Sequence, residues 1–452
     1  MKTIRVAILL LLLMSIAASA CTIPQAPAGV AGPTASSEST GSAEQTGVSG
    51  NVELWHFWGS PVRRTAIRRI VAICQEQLPN VQITETFKPW GDIWTANIAA
   101  VAAGTGMPDI IVEDRPVLPQ RAHDQIVTDL QPYIDRDQYD TSVFWPFTWQ
   151  ETLYEGDSYG IPFETDVRVL FWNKQAFADV GLDPAKPPET WDDLETYADA
   201  LDIQNADGSY ARIGFFPLWK AGAEFWARTN GWQQVVDGKP NYNDPAFIET
   251  LQWIKGWVDR YGGWQALQNY AASYASPPND IFMSGATPMV VDVAGYLSQL
   301  NFYRPRVTTA DGSTQNMDWG VSFIPYKKEK ADWSGGFALS IPYGAANADA
   351  AWAVIKCMAS KEAQESWTRD TFAIPTIQTL ATSPVLMADP YWGDIMAVME
   401  HSQGSTYVPE YPNFTQEANT RYEQVWTGEL TPEQMAEQTQ QAIDEVMAQN
   451  AQ

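Results

Sequence analysis

The sequence predicts an α/β protein of two lobes. About 400 residues remain after Asn51, more than a single hydrophobic core accommodates, so two lobes or domains are expected. Along them, strand-like and helix-like apolar periods alternate. The run Asp109-Ile-Ile-Val-Glu113 is short and β-branched, as in strands of a parallel sheet covered by helices on both faces.

The elements follow in order. Lys2 and Arg5 precede an eleven-residue apolar run, Val6 to Ile16, closed by Ala17-Ala18-Ser19-Ala20 before Cys21. That is the layout of a secretory signal peptide, residues 1–20. The run falls short of the about 20 residues a membrane span needs. Small residues leading into a cysteine resemble a bacterial lipobox, which makes Cys21 the candidate lipid anchor. Ala18 stands where that pattern prefers Leu, and plain cleavage after Ala20 is the alternative reading. Residues 21–50 are mostly Thr, Pro, Ala, Gly, Ser, Gln and Glu, too polar to offset the entropy of ordering, and read as a flexible linker.

Val52 to Trp58 alternates as a strand. Ile67, Ile70, Val71, Cys74 and Leu78 repeat at helical spacing, and Val81 to Phe87 reads as the next strand. With residues 109–113 this gives strand, helix, strand, helix, strand, the pattern of a doubly wound sheet, whose ligands sit outside the carboxyl ends of the strands. A second run follows: strand Val167 to Trp172, then a helix opened by Thr190 and Asp193 as a capping box. Further on come a helix through Phe247, Leu251, Ile254 and Val258, strands Met289 to Val293 and Phe337 to Ile341, and a helix through Ala348, Trp352, Ile355 and Ala359. Thr431-Pro-Glu-Gln434 caps the last helix. Cys74 and Cys357 both fall on apolar helical stripes and are expected to be buried free thiols, with a disulfide between them the unsupported alternative.

Composition narrows the function. There are 54 acids against 28 bases, a net charge of −26 that becomes −28 once Lys2 and Arg5 leave with the signal. So acidic a surface argues against nucleic acid and anionic ligands. Twenty Trp and eighteen Tyr exceed what a core of this size requires, and flat rings beside carboxylates suit a neutral polyhydroxyl ligand. His56, His123 and His401 are isolated, with no metal-ligand spacing, so no metal is expected. Gly104-Thr-Gly106 lacks the glycine and lysine of a phosphate loop and reads as a helix end.

Several segments, in this order, resemble the extracellular solute-binding proteins of family 1, the carbohydrate-binding group that includes maltose-binding protein. They are Trp55-His-Phe-Trp58; Ala99 to Asp109; Ile126 to Ile134; Tyr159 to Asp166 leading into Phe171-Trp-Asn-Lys174; Pro188 to Leu194; Phe282 to Met289; Gly335-Gly336 with Phe337 to Pro342; and Ala351 to Lys361. The resemblance implies a two-lobe fold of the type II periplasmic-binding-protein kind, each lobe a central, mostly parallel sheet flanked by helices. It places residues 51–162 and 337–375 in the N-terminal lobe, and 163–336 and 376–452 in the C-terminal lobe. It further implies hinge closure over a ligand, docking on the membrane permease subunits of an ABC importer, a monomer, and neither a cofactor nor catalysis.

The same resemblance, with the strand ends, gives the candidate ligand residues. Trp58 is the first choice for a stacking platform, and Trp90 is a second; for both, packing in the core is the alternative. Among Glu113-Asp114-Arg115 at the end of the third strand, Asp114 is preferred. Glu164 and Asp166 sit at the first crossing between lobes, where Arg168 pairs with an acid or meets ligand. Trp219, Glu224 and Trp226 come from a loosely matched segment. Asp292, Tyr296, Trp333 and Gly336 complete the set, with Phe372 a weaker candidate. Two other classes remain open: a polyamine-binding protein of the same fold, and an extracellular glycoside hydrolase using two of the many carboxylates.

Overall fold

The computed structural model describes residues 47–309 and 312–450. The signal peptide, Cys21 and the linker up to residue 46 lie outside the described residues.

Three N-terminal strands begin the first sheet: β1 (Gly50–His56), β2 (Val81–Phe87) and β3 (Ile110–Asp114). β1 runs parallel to both neighbours, with Leu54 beside Ile110. The crossovers are α1 (Pro61–Gln77) and α2 (Asp92–Ala103). Ser60 caps α1 by accepting the Arg63 N–H, with Pro61 in the first helical position. α2 ends at Gly104, whose φ of 67° supplies the left-handed residue of a helix stop. Gly104-Thr-Gly106 is therefore a helix end.

β4 (Ile161–Thr165), β9 (Gly336–Ser340) and β10 (Ile374–Pro375) complete a six-stranded sheet ordered β10-β4-β9-β3-β1-β2. β9 is antiparallel to both of its neighbours. One core lies against this sheet, where Val52, Leu54, Ile110, Val112, Ile161 and Phe163 meet α1, α7 (Ala348–Met358) and α8 (Lys361–Thr371).

The second sheet has β5 (Arg168–Asn173) at its centre, between β6 (Met289–Val293) and β7 (Trp319–Ser322). Both pairings are antiparallel, which corrects the expectation of a mostly parallel sheet in each lobe. The reason lies in what the pattern encodes. Leu170, Trp172, Met289 and Val291 face one core, formed with α3 (Trp191–Leu201), α4 (Ala223–Thr229), α5 (Pro245–Arg260) and α9 (Pro432–Asn450). Val169, Phe171 and Val290 face another, with α6 (Tyr296–Tyr303). A strand covered on both faces reads as a continuous apolar run whatever its direction.

The expected caps are present. Thr190 and Asp193 form a reciprocal capping box on α3, and Thr431 and Gln434 do the same on α9. The thiol expectation is corrected: Cys74 on α1 and Cys357 on α7 form a disulfide, their Cα atoms 5.7 Å apart across 283 residues of sequence. Each lies on an apolar stripe because both helices pack against the same core, so the two stripes meet.

Candidate ligand cleft

A cavity of about 540 Å³ opens where Phe57 follows β1, Asp114 ends β3, Glu164 and Thr165 end β4, and Asp292 ends β6. Side chains at strand ends have left the ladder and can turn to a guest, which is why α/β sheets hold ligands there. Trp333 of the short β8 (Asp332–Trp333) and Gly335 in the link to β9 form another wall. Of the sequence candidates, Trp90, Asp114, Glu164, Asp166, Asp292, Tyr296, Trp333 and Gly336 all border this cavity, as does Arg168.

The apolar wall is aromatic. Trp90 is 60% exposed, held edge-on by Phe57 at 4.8 Å and Trp94 at 4.7 Å between ring centroids, with Phe337 at 5.8 Å. So large an apolar ring left in solvent at a cavity rim marks a contact surface.

The polar wall consists mostly of carboxylates that already have donors. Glu164 accepts from the Trp58 indole at 3.4 Å, from Arg63 at 3.2 Å and from the Trp367 indole. Asp166 accepts from Arg168 at 2.6 Å and from the Gly335 N–H at 3.1 Å. The Arg168 guanidinium also donates to the Trp333 carbonyl and lies 4.6 Å from the centre of that indole. Asp292 accepts the Val293 N–H, with Lys220 at 3.9 Å, and burial pushes its carboxyl up. The Asp114 carboxyl makes no side-chain hydrogen bond among the described residues, while its backbone pairs with Phe337. Burial, opposed by the neighbouring Arg115, pushes its carboxyl up to about 6. It remains the acceptor with the most capacity to spare.

Other candidates take different places. Trp58 is 1% exposed and packs among His56, Phe163 and Trp367, so it supports Glu164 from the core and offers no face to the cavity. Trp226 is fully buried and donates to the Pro217 carbonyl. Trp219 stacks on Tyr270 at 5.8 Å and borders neither chamber of the cleft. Tyr296 is buried, its hydroxyl donating to Asp280 at 2.7 Å, which leaves a ring edge in the wall. Phe372 caps α8 at a φ of 56° and packs on the α6 core. Glu113 is wholly buried, while Arg115 is buried between Glu151 at 3.0 Å and the Thr165 hydroxyl at 2.9 Å.

A second chamber of about 330 Å³ shares Arg168, Lys220 and Trp333 with the first. Glu224 lies in its wall and accepts from Tyr242 at 2.6 Å, Tyr422 at 3.2 Å and Gln234 at 2.9 Å. Phe57, Arg63, Lys220, Arg228 and Phe337 border the cleft and were not singled out from the sequence.

Buried acids near the sheet ends give stability a pH dependence. Burial pushes Glu113 up to about 8, and Glu151 and Asp332 up to about 7. Each therefore keeps its proton in the folded state after the unfolded chain has lost it. Their contribution is complete below the ordinary carboxylate range and is lost as pH rises from there through about 8. Thermal unfolding is expected at a lower temperature at pH 8 than at pH 5. Glu113→Gln, which needs no proton to stay neutral, should raise the midpoint at pH 8 more than at pH 5. Equal changes at the two pH values would refute this assignment.

Comparison with known proteins agrees with this architecture. Residues 69–392 match the model of the bacterial extracellular solute-binding proteins. CpMnBP1 with mannotriose bound is 26% identical, with a TM-score of 0.76 over 86% of this chain and 99% of that one. A solute-binding protein of an ABC transporter from Thermotoga lettingae, bound with α-D-tagatose, shares the fold at 21% identity, with a TM-score of 0.74 over 88% of this chain and 100% of that one. The sn-glycerol-3-phosphate-binding periplasmic protein UgpB of Escherichia coli is 25% identical over 204 residues, 43% of this chain and 42% of that protein. The chain spans less than half the length of that curated relative. These relatives are binding proteins with the type II two-lobe fold, and the match over residues 69–392 shows that the chain belongs to the bacterial extracellular solute-binding proteins, which act outside the cytoplasm.

Proposed function

We propose that the protein captures a sugar, in the form of a short oligosaccharide, between two hinged lobes and hands it to the membrane permease subunits of an ABC importer. The observation that carries this reading is the exposed Trp90 with Phe57 and Phe337 sharing one cavity with the acceptors Asp114 and Asp292. A sugar ring has an apolar C–H face that stacks on such rings and a rim of hydroxyls that needs acceptors. Each buried hydroxyl left unpaired costs about 1–3 kcal/mol. The polyamine alternative asks for uncompensated acids, whereas Glu164 and Asp166 already pair with Arg63 and Arg168. The mannotriose carried by CpMnBP1 is consistent with a neutral oligosaccharide.

The lobes of the proposal are residues 51–162 with 337–375, and 163–336 with 376–452, with the first boundary moved to the end of β4 at Thr165 and the second to the start of β9 at Gly336, since both strands lie wholly in the first sheet. They hinge where the chain leaves β4 for β5, where β8 leads into β9, and at β10. The protein works as a monomer that binds and releases its guest unchanged, tethered to the outer face of the membrane by a lipid on Cys21.

A melting-temperature screen over mono- and oligosaccharides tests the reading. A ligand at 100 times its Kd should stabilise the fold by about 2.7 kcal/mol. Trp90→Ala is expected to weaken the best ligand at least tenfold, equivalent to about 1.4 kcal/mol. A flat response to every sugar, or full affinity without the Trp90 ring, would defeat the proposal.

A further inference from the structure

The second chamber has an unusual charge balance. Its charged side chains are Arg168, Lys220 and Arg228 against the single acid Glu224, in a chain with 54 acids and 28 bases. Two of these groups are already committed. Arg168 is held by Asp166 and the Trp333 carbonyl, and Glu224 by three donors. The other two are not. Arg228 is half-buried and makes one side-chain hydrogen bond, to the Gln234 amide oxygen at 2.7 Å. Among the described residues no carboxylate forms an ion pair with it. Among the described residues Lys220 forms one ion pair, with Asp292 at 3.9 Å, and it borders both chambers.

A guanidinium has five N–H donors in a planar fork. One that is drawn away from water and given a single amide acceptor has its remaining capacity turned toward the cavity. The complementary partner is a planar carboxylate, which takes two parallel N–H bonds. Phe225, Phe414 and Tyr422 line the same chamber, so the group that brings this carboxylate has apolar surface to lie against.

We propose that the second chamber is a subsite for a hexuronate unit, its carboxylate held by Arg228 and Lys220 while neutral units of the same oligosaccharide occupy the first chamber. The inference rests on the sugar reading of the cleft and adds a charged unit to it. A monoanion fits better than a phosphate ester, because Glu224 in the same wall repels a dianion more strongly. The −26 charge of the chain opposes anionic ligands at long range but is screened over about 8 Å in physiological salt.

Titration calorimetry on the mature protein with mannobiose, glucuronosyl-mannose and mannose 6-phosphate tests the assignment. Glucuronosyl-mannose is expected to bind at least tenfold more tightly than mannobiose at low salt, and the advantage should shrink as salt is added. Arg228→Gln should bring the ratio of the two affinities to about one, and Arg228→Lys should restore part of it. Equal affinities in the unaltered protein, a ratio insensitive to Arg228→Gln, or a preference for the phosphate ester each overturn the subsite. Mannobiose binding without an acidic preference sinks this inference alone. Failure of both disaccharides removes the sugar reading together with it.

Discussion

Gly336→Ala is expected to lower the melting temperature by several degrees and to abolish measurable sugar binding, whereas Gly335→Ala, one residue earlier, should do neither. The contrast follows from what a methyl group would meet. At Gly336, where φ is 123°, an added Cβ falls 2.3 Å from the Glu164 carbonyl oxygen, 2.7 Å from the Thr165 Cα and 2.8 Å from an Arg115 guanidinium nitrogen. The first two contacts are backbone of β4 and cannot rotate away, and the dihedral itself disfavours any side chain. Overpacking and a forced positive φ together cost about 3 kcal/mol or more. At Gly335 the nearest atom is a carboxylate oxygen of Asp166 at 3.4 Å, an ordinary contact. Binding fails with stability because β9 can make room only by parting from β4, which carries Glu164 and leads into Asp166 and Arg168. Denaturation curves and sugar titrations on both variants check the claim, and a Gly336→Ala protein that still binds at full affinity would contradict it.

The role of Gly336 also shows how far the sequence could be read. A glycine pair at the crossing suggests close approach to the ligand, yet the closest approach is to another strand 172 residues earlier. Strand ends were legible because period and caps locate them. Asp114 is placed at the cleft for that reason, whereas Glu164, Asp166 and Asp292 are placed there by the family resemblance; all four border the cavity. The direction in which an aromatic turns was harder to read, though a usable signal was present. Val52 and Leu54 face the core of the first sheet, and continuing the two-residue alternation of β1 puts Trp58 on that same face and Phe57 on the other. Phe57 is the ring beside Trp90, and Trp58 is in the core. Arg63 and Arg228 carried no such signal. Arg63 lies on the amphipathic α1 and Arg228 on the short, mostly buried α4, and in a helix an arginine reads as solvated surface unless the opposing segment is known. For Arg63 that segment holds Glu164, 101 residues away.

Removing the bridge between α1 and α7, by Cys74→Ser with Cys357→Ser or by reductant, is expected to cause the largest loss of stability of any change that leaves the cleft intact. The two cysteines are 283 residues apart, so their bond closes a loop that contains the whole second sheet and most of the first. In the chain-entropy treatment, a loop longer than 100 residues stabilises by about 5 kcal/mol, at the upper end of measured values. The cleft should be spared. α1 begins beside it, where Arg63 reaches Glu164, and Cys74 lies 13 residues beyond Pro61, about 20 Å along the helix at 1.5 Å per residue. The double variant should therefore melt well below the oxidised protein and bind its sugar within about twofold of the original affinity. A thiol titration of the denatured, unreduced protein should find neither Cys74 nor Cys357 free. If both react, or if reduction leaves the melting temperature unmoved, the bridge does not hold the first core together. If sugar affinity falls with the bridge, strain at the far end of α1 is felt at Arg63 and Glu164, and the helix transmits it.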